Sequence, residues 1–228
     1  MVVLITKEFS DPIINFYEEG IYSPSTDSYL VIDYLKKCIN EYFFDEIPIR
    51  NITKILDLGT GTGIIAIFLQ ILKIQIPDFN PIIYASDISQ KALKNAKINE
   101  RENKLEKEIK FIHSDLFNSF PNSLKHSFDV IIFNPPYLPS SEIIKDKQEI
   151  DLSWDGGKEG LELILRFIEE AKLFLSLNRQ SFIYLVSSSR TNLKLLGEKI
   201  NFQGYAHEIV AKTHVFFEDI MLNRLKLQ

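Results

Sequence analysis

The sequence has very few of the residues from which disulfide scaffolds and metal clusters are built. Its 228 residues include one cysteine, one tryptophan and two methionines. A single cysteine cannot form a disulfide within the chain or supply a cysteine-based zinc site. We therefore assign no metal site and expect Cys38 to be a small buried hydrophobic residue.

An excess of positive charge is also missing. The 26 lysine and arginine residues are outnumbered by 31 aspartate and glutamate residues, which gives a formal charge of −5. A chain with this balance has no general electrostatic attraction for a phosphate backbone. Direct nucleic-acid binding is therefore not expected without a local basic patch.

No stretch of the sequence is apolar over the length that a membrane span needs. The longest apolar run, 55–72, is interrupted by Asp57, by three glycines and by two threonines. The apolar start of the chain is followed by Lys7, Glu8 and Asp11, so we expect no signal peptide. These absences predict a cytoplasmic protein without membrane contact.

What the sequence does contain is a regular alternation of short apolar strands and helices. This alternation predicts an α/β fold with a doubly wound, mostly parallel seven-stranded sheet that ends in an antiparallel hairpin. We expect residues 1–50 to form an N-terminal helical extension and residues 51–228 the main domain. The predicted strands are 54–58, 82–86, 110–113, 129–133, 182–186, 204–212 and 215–225, and the predicted helices of the main domain are 63–72, 89–98, 159–175 and 193–200. The apolar face of the predicted N-terminal helix comprises Leu30, Tyr34, Leu35, Cys38, Ile39 and Tyr42.

Polar residues follow four of the predicted strands. The segment 57–63, Asp87, Asp115 and Asn134 each stand where a strand ends. In an open parallel α/β sheet, ligands bind outside the carboxyl ends of the strands. We therefore expect these residues to line one shared cleft.

The segment 57–63 reads Asp-Leu-Gly-Thr-Gly-Thr-Gly. Gly59, Gly61 and Gly63 let the backbone turn tightly from strand to helix and pass close to a ligand, because glycine has no Cβ. The helix that follows presents free amides to that ligand. A plain strand-to-helix turn would not need three alternating glycines.

A dinucleotide site is an alternative interpretation, because Gly61, Gly63 and Ala66 satisfy the Gly-x-Gly-x-x-Ala pattern. Asp57 argues against it, since a carboxylate would repel a pyrophosphate. Asp87 also comes later than the acid that this pattern expects. An acid beside the glycines suits a positively charged group such as an amine or a sulfonium, and Asp87 suits a ribose diol.

The fourth predicted strand ends in Asn134, Pro135, Pro136 and Tyr137. Two prolines fix the backbone and remove two amide donors, so local carbonyls are free to accept hydrogen bonds from a ligand. Asn134 adds a side-chain carbonyl and Tyr137 a flat ring. Together they predict a slot for a planar NH2 group, although a proline-rich turn without function is the alternative.

These motifs together resemble those of class I S-adenosylmethionine-dependent methyltransferases that modify a planar nitrogen. More narrowly, the chain is similar to the HemK-like protein glutamine methyltransferases, in particular to the branch that acts on the Gly-Gly-Gln loop of class I peptide-release factors. That branch has a Tyr-x-Pro-x-x-Asp-Ser/Thr segment and a Trp-x-Gly-Gly-x-x-Gly segment. The matching residues are Tyr22, Pro24, Asp27 and Ser28 for the first, Trp154, Gly156, Gly157 and Gly160 for the second, and Glu218, Asp219 and Ile220 near the C-terminus.

The resemblance implies S-adenosylmethionine as cofactor and direct transfer of its methyl group to an amide nitrogen. It also implies a release factor as substrate and a small zinc-binding activator protein as partner. The implied cofactor residues are Ser28, Asp57, Gly59, Gly61, Gly63, Asp87, Asp115, Leu116 and Asn134. The implied substrate residues are Asn134, Pro135, Pro136 and Tyr137, of which Asn134, Pro135 and Tyr137 are expected to be catalytic.

Two other functions would use the same motifs. An adenine amino methyltransferase acting on DNA or RNA would place a flipped base in the slot. A binding protein that has kept the fold without catalysis is the second. The acidic charge weighs against the first, and the intact turn 134–137 weighs against the second.

Overall fold

The computed structural model describes residues 9–16, 18–105, 108–137, 161–178 and 180–228. Its helices are α1 (Thr26–Cys38), α2 (Ile64–Gln75), α3 (Gln90–Glu102), α4 (Glu162–Ala171) and α5 (Leu193–Phe202). Its strands are β1 (Phe43–Phe44), β2 (Ile47–Pro48), β3 (Lys54–Leu58), β4 (Ile82–Asp87), β5 (Lys110–His113), β6 (Val130–Phe133), β7 (Phe182–Ser188), β8 (Tyr205–Val215) and β9 (Glu218–Leu227).

Seven strands form one sheet in the order β5-β4-β3-β6-β7-β9-β8. The strands β3 to β7 run parallel, whereas β9 is antiparallel to both β7 and β8. The predicted fold class is therefore confirmed. The chain moves outward from β3 to β5 and then returns to β6, so the order reverses between β3 and β6, where open sheets bind ligands.

Side chains alternate between two apolar layers along the central strands. Ile55 and Ile132 face the layer that holds α1 and α2, whereas Leu56 and Ile131 face the layer that holds α4 and α5. A strand covered on both faces has to be apolar throughout. This requirement explains why β3 and β6 are almost unbroken apolar runs, in which Lys54 at the start of β3 and the buried Asp57 are the exceptions.

The register of β3 and β6 fixes the position of the predicted site. Leu58 pairs with Phe133, so the glycine loop and the proline turn begin side by side. The two segments are also close in space, since a Cβ on Gly59 would lie 3.2 Å from Cε2 of Phe133.

The N-terminal region differs from the prediction. Helix α1 ends at Cys38, and its buried apolar residues are Val31, Ile32 and Leu35. Tyr42 is 72% exposed, because the chain leaves the helix and turns into the small hairpin β1–β2, which the sequence pattern did not reveal. Val31 and its neighbours pack in the same apolar layer as α2, and the division of the chain at residue 50 stays a prediction.

Cys38 is half-buried and packs against this layer as a partly buried hydrophobic residue. Burial is the main reason why the pKa of its thiol is raised to about 12. The thiol is therefore protonated at neutral pH and is not a nucleophile.

The C-terminal hairpin was predicted correctly, but the position of its turn was wrong. The ladder between β8 and β9 continues to the pair Val215 and Glu218, so the connection is the two residues Phe216 and Phe217 rather than residues 213–214. Two phenylalanines are typical of strands, and this preference concealed the turn. The predicted start of the helix at 159 lies outside the described residues, and the described helix is Glu162–Ala171.

Within the described ranges, none of the helices combines the length and the apolar character needed to cross a bilayer.

The fold requires glycine at position 63, and this requirement gives a first prediction. The φ of Gly63 is +86°, and a Cβ there would lie 2.9 Å from Cβ of Ala96 on α3. Gly63→Ala should lower the free energy of unfolding by about 2–4 kcal/mol, from left-handed backbone strain and overpacking. Gly61→Ala is the matched control, with φ at +54° but open space around the new methyl, and should cost about 1–2 kcal/mol. Urea unfolding of both variants measures the difference, and equal losses would contradict the packing argument.

Candidate functional site

Asp57 lies at the end of β3 and holds the glycine loop together. Its side chain is buried, and its Oδ2 accepts hydrogen bonds from Thr60 Oγ1 at 2.6 Å and from the backbone N–H of Ala66 at 3.1 Å. One oxygen therefore joins the loop to the first turn of α2. Sequence reasoning expected this acid to face a ligand and did not anticipate that it also braces the loop.

The environment of Asp57 is unfavourable to its charge. Burial raises the pKa of this carboxyl to about 7; its two hydrogen bonds act in the opposite direction, and the charge of Asp87 raises it further. A positively charged ligand group nearby would restore the ionised form. The geometry thus favours a cationic ligand over an anionic one.

Asp87, at the end of β4, holds the same loop from the other side. Its Oδ2 accepts from the backbone N–H of Gly61 at 2.9 Å, and its Oδ1 accepts from the backbone N–H of Ser89 at 2.8 Å. Burial raises the pKa of Asp87 as well. The structure therefore brings Asp57 and Asp87 to one loop, as the strand-end argument predicted.

Asp115 and Leu116 follow β5, which pairs with β4 beside Asp87, and their side chains contact other parts of the chain. Asp115 Oδ1 forms an ion pair with Arg166 of α4, and its Oδ2 accepts from Asn118 Nδ2 at 3.3 Å. The side chain of Leu116 is buried in the second apolar layer, with the backbone at φ +44°. A role of both residues in holding adenine stays a prediction. Sequence reasoning missed Arg166, because nothing in the sequence indicates which face of α4 meets β5.

Asn134 has the most informative side chain of the site. Its Oδ1 is buried and has no hydrogen-bond partner in the described part of the chain. Leaving a buried acceptor unpaired costs about 1–3 kcal/mol, so such an atom calls for an explanation. A ligand N–H would satisfy it, and the neighbouring Pro135 carries no N–H that could do so instead.

Tyr137 is tied to the N-terminal segment. Its hydroxyl donates to Asp27 Oδ2 at 3.3 Å, and the hydroxyl of Tyr22 donates to the same carboxylate, at 2.8 Å to Oδ1. Burial raises the pKa of both phenols, and the charge of Asp27 raises it further, so both remain O–H donors. The sequence analysis identified Tyr22 and Asp27 as part of a motif, but their contact with residue 137 was not predicted.

Ser28 and Glu218 interact with the group formed by Tyr22, Asp27 and Tyr137. The backbone N–H of Ser28 donates to Asp27 Oδ1 at 2.7 Å, and the Ser28 side chain is buried. Glu218 accepts from the hydroxyl of Ser188 at the end of β7, and its charge contributes to the raised pKa of Tyr22 and Tyr137. The predicted segment with Trp154, Gly156, Gly157 and Gly160 lies outside the described residues.

The buried carboxyl of Asp57 gives a prediction about pH. The unfolded chain loses this proton near pH 3.8, whereas the folded chain keeps it up to about pH 7. Between these values the folded state binds more protons, so the contribution of Asp57 to stability falls as pH rises. Asp57→Asn removes the titration and keeps both hydrogen bonds, because Thr60 and Ala66 donate to a single oxygen. The stability of the variant relative to the unchanged chain should rise by on the order of 3–4 kcal/mol from pH 4 to pH 7. Urea unfolding across this range measures the effect, and parallel curves would contradict it.

Comparison with known proteins agrees with this geometry. The family model described as "Methyltransferase small domain" matches residues 40–149. A putative protein N5-glutamine methyltransferase of Methanocaldococcus jannaschii is 34% identical over 205 residues, which cover 89% of each protein. The catalytic subunit of the eRF1 methyltransferase of Schizosaccharomyces pombe is 28% identical over 210 residues, covering 87% of this chain and 82% of the relative.

Among solved structures, a chain of the Mtq2–Trm112 complex of E. cuniculi aligns with a TM-score of 0.62 and 22% identity. The alignment covers 92% of this chain and 99% of that one. The complex is described as responsible for methylation of the translation termination factor eRF1. At this identity the likeness shows the fold.

Proposed function

We propose that this chain, which belongs to the HemK-like protein glutamine methyltransferases, methylates the glutamine of the Gly-Gly-Gln loop in a class I peptide-release factor. The chain is a class I S-adenosylmethionine-dependent enzyme that modifies a side-chain amide nitrogen. The release-factor substrate is supported by the names of its relatives, which include an eRF1 methyltransferase.

The residues present fit the cofactor. S-adenosylmethionine, when bound, supplies a methyl group on a positively charged sulfur. Asp57 with the backbone of the glycine loop would hold its methionine part, and Asp87 its ribose. Open space beside Gly61 leaves room for a ligand against the loop, and the buried acids suit a cation. Asp115 and Leu116 would hold the adenine, and Ser28 would cover the cofactor from the N-terminal segment.

The unpaired Oδ1 of Asn134 is the observation that carries the proposal. An amide nitrogen is a poor nucleophile, because its lone pair is delocalised into the carbonyl. Two acceptors on its hydrogens, Asn134 Oδ1 and the Pro135 carbonyl, favour the positive charge that develops on nitrogen during transfer. The same two acceptors fix the orientation of the amide, and alignment of reactants can supply about 7–11 kcal/mol.

Tyr137 would complete the slot by packing its ring on the plane of the substrate amide. Asp27 holds the hydroxyl of this ring in place. We propose that one N–H proton of the product leaves to water after the transfer, rather than to a side chain of the enzyme.

A small activator protein that binds zinc is part of the proposal. It is supported by the resemblance of this chain to one chain of the Mtq2–Trm112 complex. An adenine amino methyltransferase would use the same slot, but the relatives reported above are named as protein methyltransferases, and the charge of −5 disfavours nucleic acid.

The test of the proposed function is methyl transfer with the purified chain, the activator protein and cofactor labelled in its methyl group. A class I release factor, DNA and RNA are offered separately. We expect label in the release factor, and mass mapping should place a single methyl on the glutamine of the Gly-Gly-Gln loop. Label in nucleic acid instead would support the adenine alternative.

Asn134→Ala tests the slot directly. The variant should lose on the order of 10²–10³ in kcat, the range for one preorganised polar contact to a reacting group. Cofactor affinity, measured by calorimetry, should change much less, because the substrate amide is the group that loses its acceptor. Turnover close to that of the unchanged chain would refute the assignment of Asn134.

Asp27→Asn tests the support of Tyr137. Replacing the carboxylate weakens two buried charge-assisted hydrogen bonds, so kcat should fall about 10- to 100-fold. Asp33→Asn, on the exposed side of the same helix, is the matched control and should leave kcat unchanged. Steady-state methylation of the release factor measures both, and equal activities of the two variants would contradict the role given to Asp27.

A further inference from the structure

Two phenylalanines form the tip of the C-terminal hairpin and contact almost nothing. Phe216 and Phe217 join β8 to β9 and are 88% and 93% exposed. They are the most exposed large hydrophobic residues in the described part of the chain. Neither belongs to either apolar layer of the fold.

The backbone at this tip makes the choice of residues more unusual. Phe216 has φ of +50°, in the left-handed region that a bulky side chain seldom adopts. A two-residue hairpin connection favours Asn-Gly or a related pair. Phenylalanine here makes the turn less favourable and gains no packing in return, and such conflicts with local rules are expected at functional positions.

The tip stands at the same edge of the sheet as the substrate slot. Ile220 pairs with Ser188, the last residue of β7, so the hairpin continues past the carboxyl end of that parallel strand. Glu218 directly follows the tip. Its carboxylate accepts a hydrogen bond from the hydroxyl of Ser188 at the carboxyl end of β7, and its charge contributes to the raised pKa of Tyr137 in the slot.

The hairpin also holds the tip firmly. Its ladder runs from the pair Tyr205 and Leu227 to the pair Val215 and Glu218, with one irregularity between Ile209 and Ala211. Strand β9 is in turn bonded along β7 in the centre of the fold. The tip is therefore a fixed apolar projection beside the slot.

We propose that Phe216 and Phe217 are a docking contact for the protein substrate, seated on an apolar patch of the folded release-factor domain that carries the Gly-Gly-Gln loop. The inference rests on the proposed function. The slot would hold only the side-chain amide of a protein substrate, so recognition of the whole protein needs contacts around it. A loop that enters the slot brings the surface of its own domain beside the tip. Aromatic side chains are frequent anchors of such contacts.

The test compares three variants on two substrates. The double substitution Phe216→Asn, Phe217→Gly removes both rings and installs residues that adopt a positive φ more readily than phenylalanine does, so the fold should be retained. Phe216→Tyr, Phe217→Tyr keeps both rings. Phe202→Asn removes a remote phenylalanine that is 83% exposed at the end of α5 and is the matched control. Each is assayed with the activator protein on the full-length release factor and on a short peptide containing Gly-Gly-Gln.

We expect the Asn-Gly variant to lose about tenfold or more in kcat/KM on the full-length release factor, mainly through KM. On the peptide it should match the unchanged chain within about twofold. The tyrosine variant and Phe202→Asn should retain activity on both substrates.

If the Asn-Gly variant and Phe202→Asn have the same kcat/KM on the full-length release factor, the docking contact is overturned. An equal loss on both substrates would also overturn it, because the tip would then act on the slot itself. A change in oligomeric state or activator binding, with kcat/KM on the release factor unchanged, would assign the tip to another partner. Failure of the unchanged chain to methylate any release factor would instead overturn the proposed function and this inference with it.

Discussion

The pairing of β3 with β6 is the constraint on which the site depends. Leu58 lies beside Phe133, so the backbone that turns into the glycine loop and the backbone that turns into 134–137 leave the sheet at one point. Hydrogen bonds of the parallel ladder hold this alignment, and apolar layers on both faces make a shift by one residue costly. The sites proposed for the cofactor and for the amide therefore adjoin where the strand order reverses, without any need for a long-range side-chain contact.

One buried acid and one buried amide oxygen show what the site gives up in stability. The pKa of Asp57 is raised because burial disfavours its charge, and Asn134 Oδ1 has no partner among the described residues. The buried charge of Asp57 and the unpaired oxygen of Asn134 both cost folding free energy, although the hydrogen bonds of Asp57 also brace the glycine loop. A cation and an N–H donor in the cleft would make both favourable, so the groups that cost stability are the ones that the proposed reaction would use.

The N-terminal segment contributes to the site through Asp27. This carboxylate accepts from Tyr22 within its own segment and from Tyr137 in the proline turn. Helix α1 is also packed against the sheet through Val31 and Ile32. One carboxylate thus fixes both the segment that is expected to cover the cofactor and the ring that is expected to support the substrate amide. It physically connects the proposed cofactor site with the proposed substrate site.

The sequence by itself determined the seven strands of the main sheet, their alternation with helices, and the polar residues at the strand ends, because these follow from local apolar periodicity and from turn chemistry. Strands 54–58 and 110–113 were predicted to the residue. Only the tertiary structure decided the contact of Asp27 with Tyr137, the ion pair of Asp115 with Arg166 and the turn at Phe216 and Phe217. Each depends on how segments that are distant in the sequence pack or pair. The order of residues along the chain does not specify which distant side chains folding brings into contact.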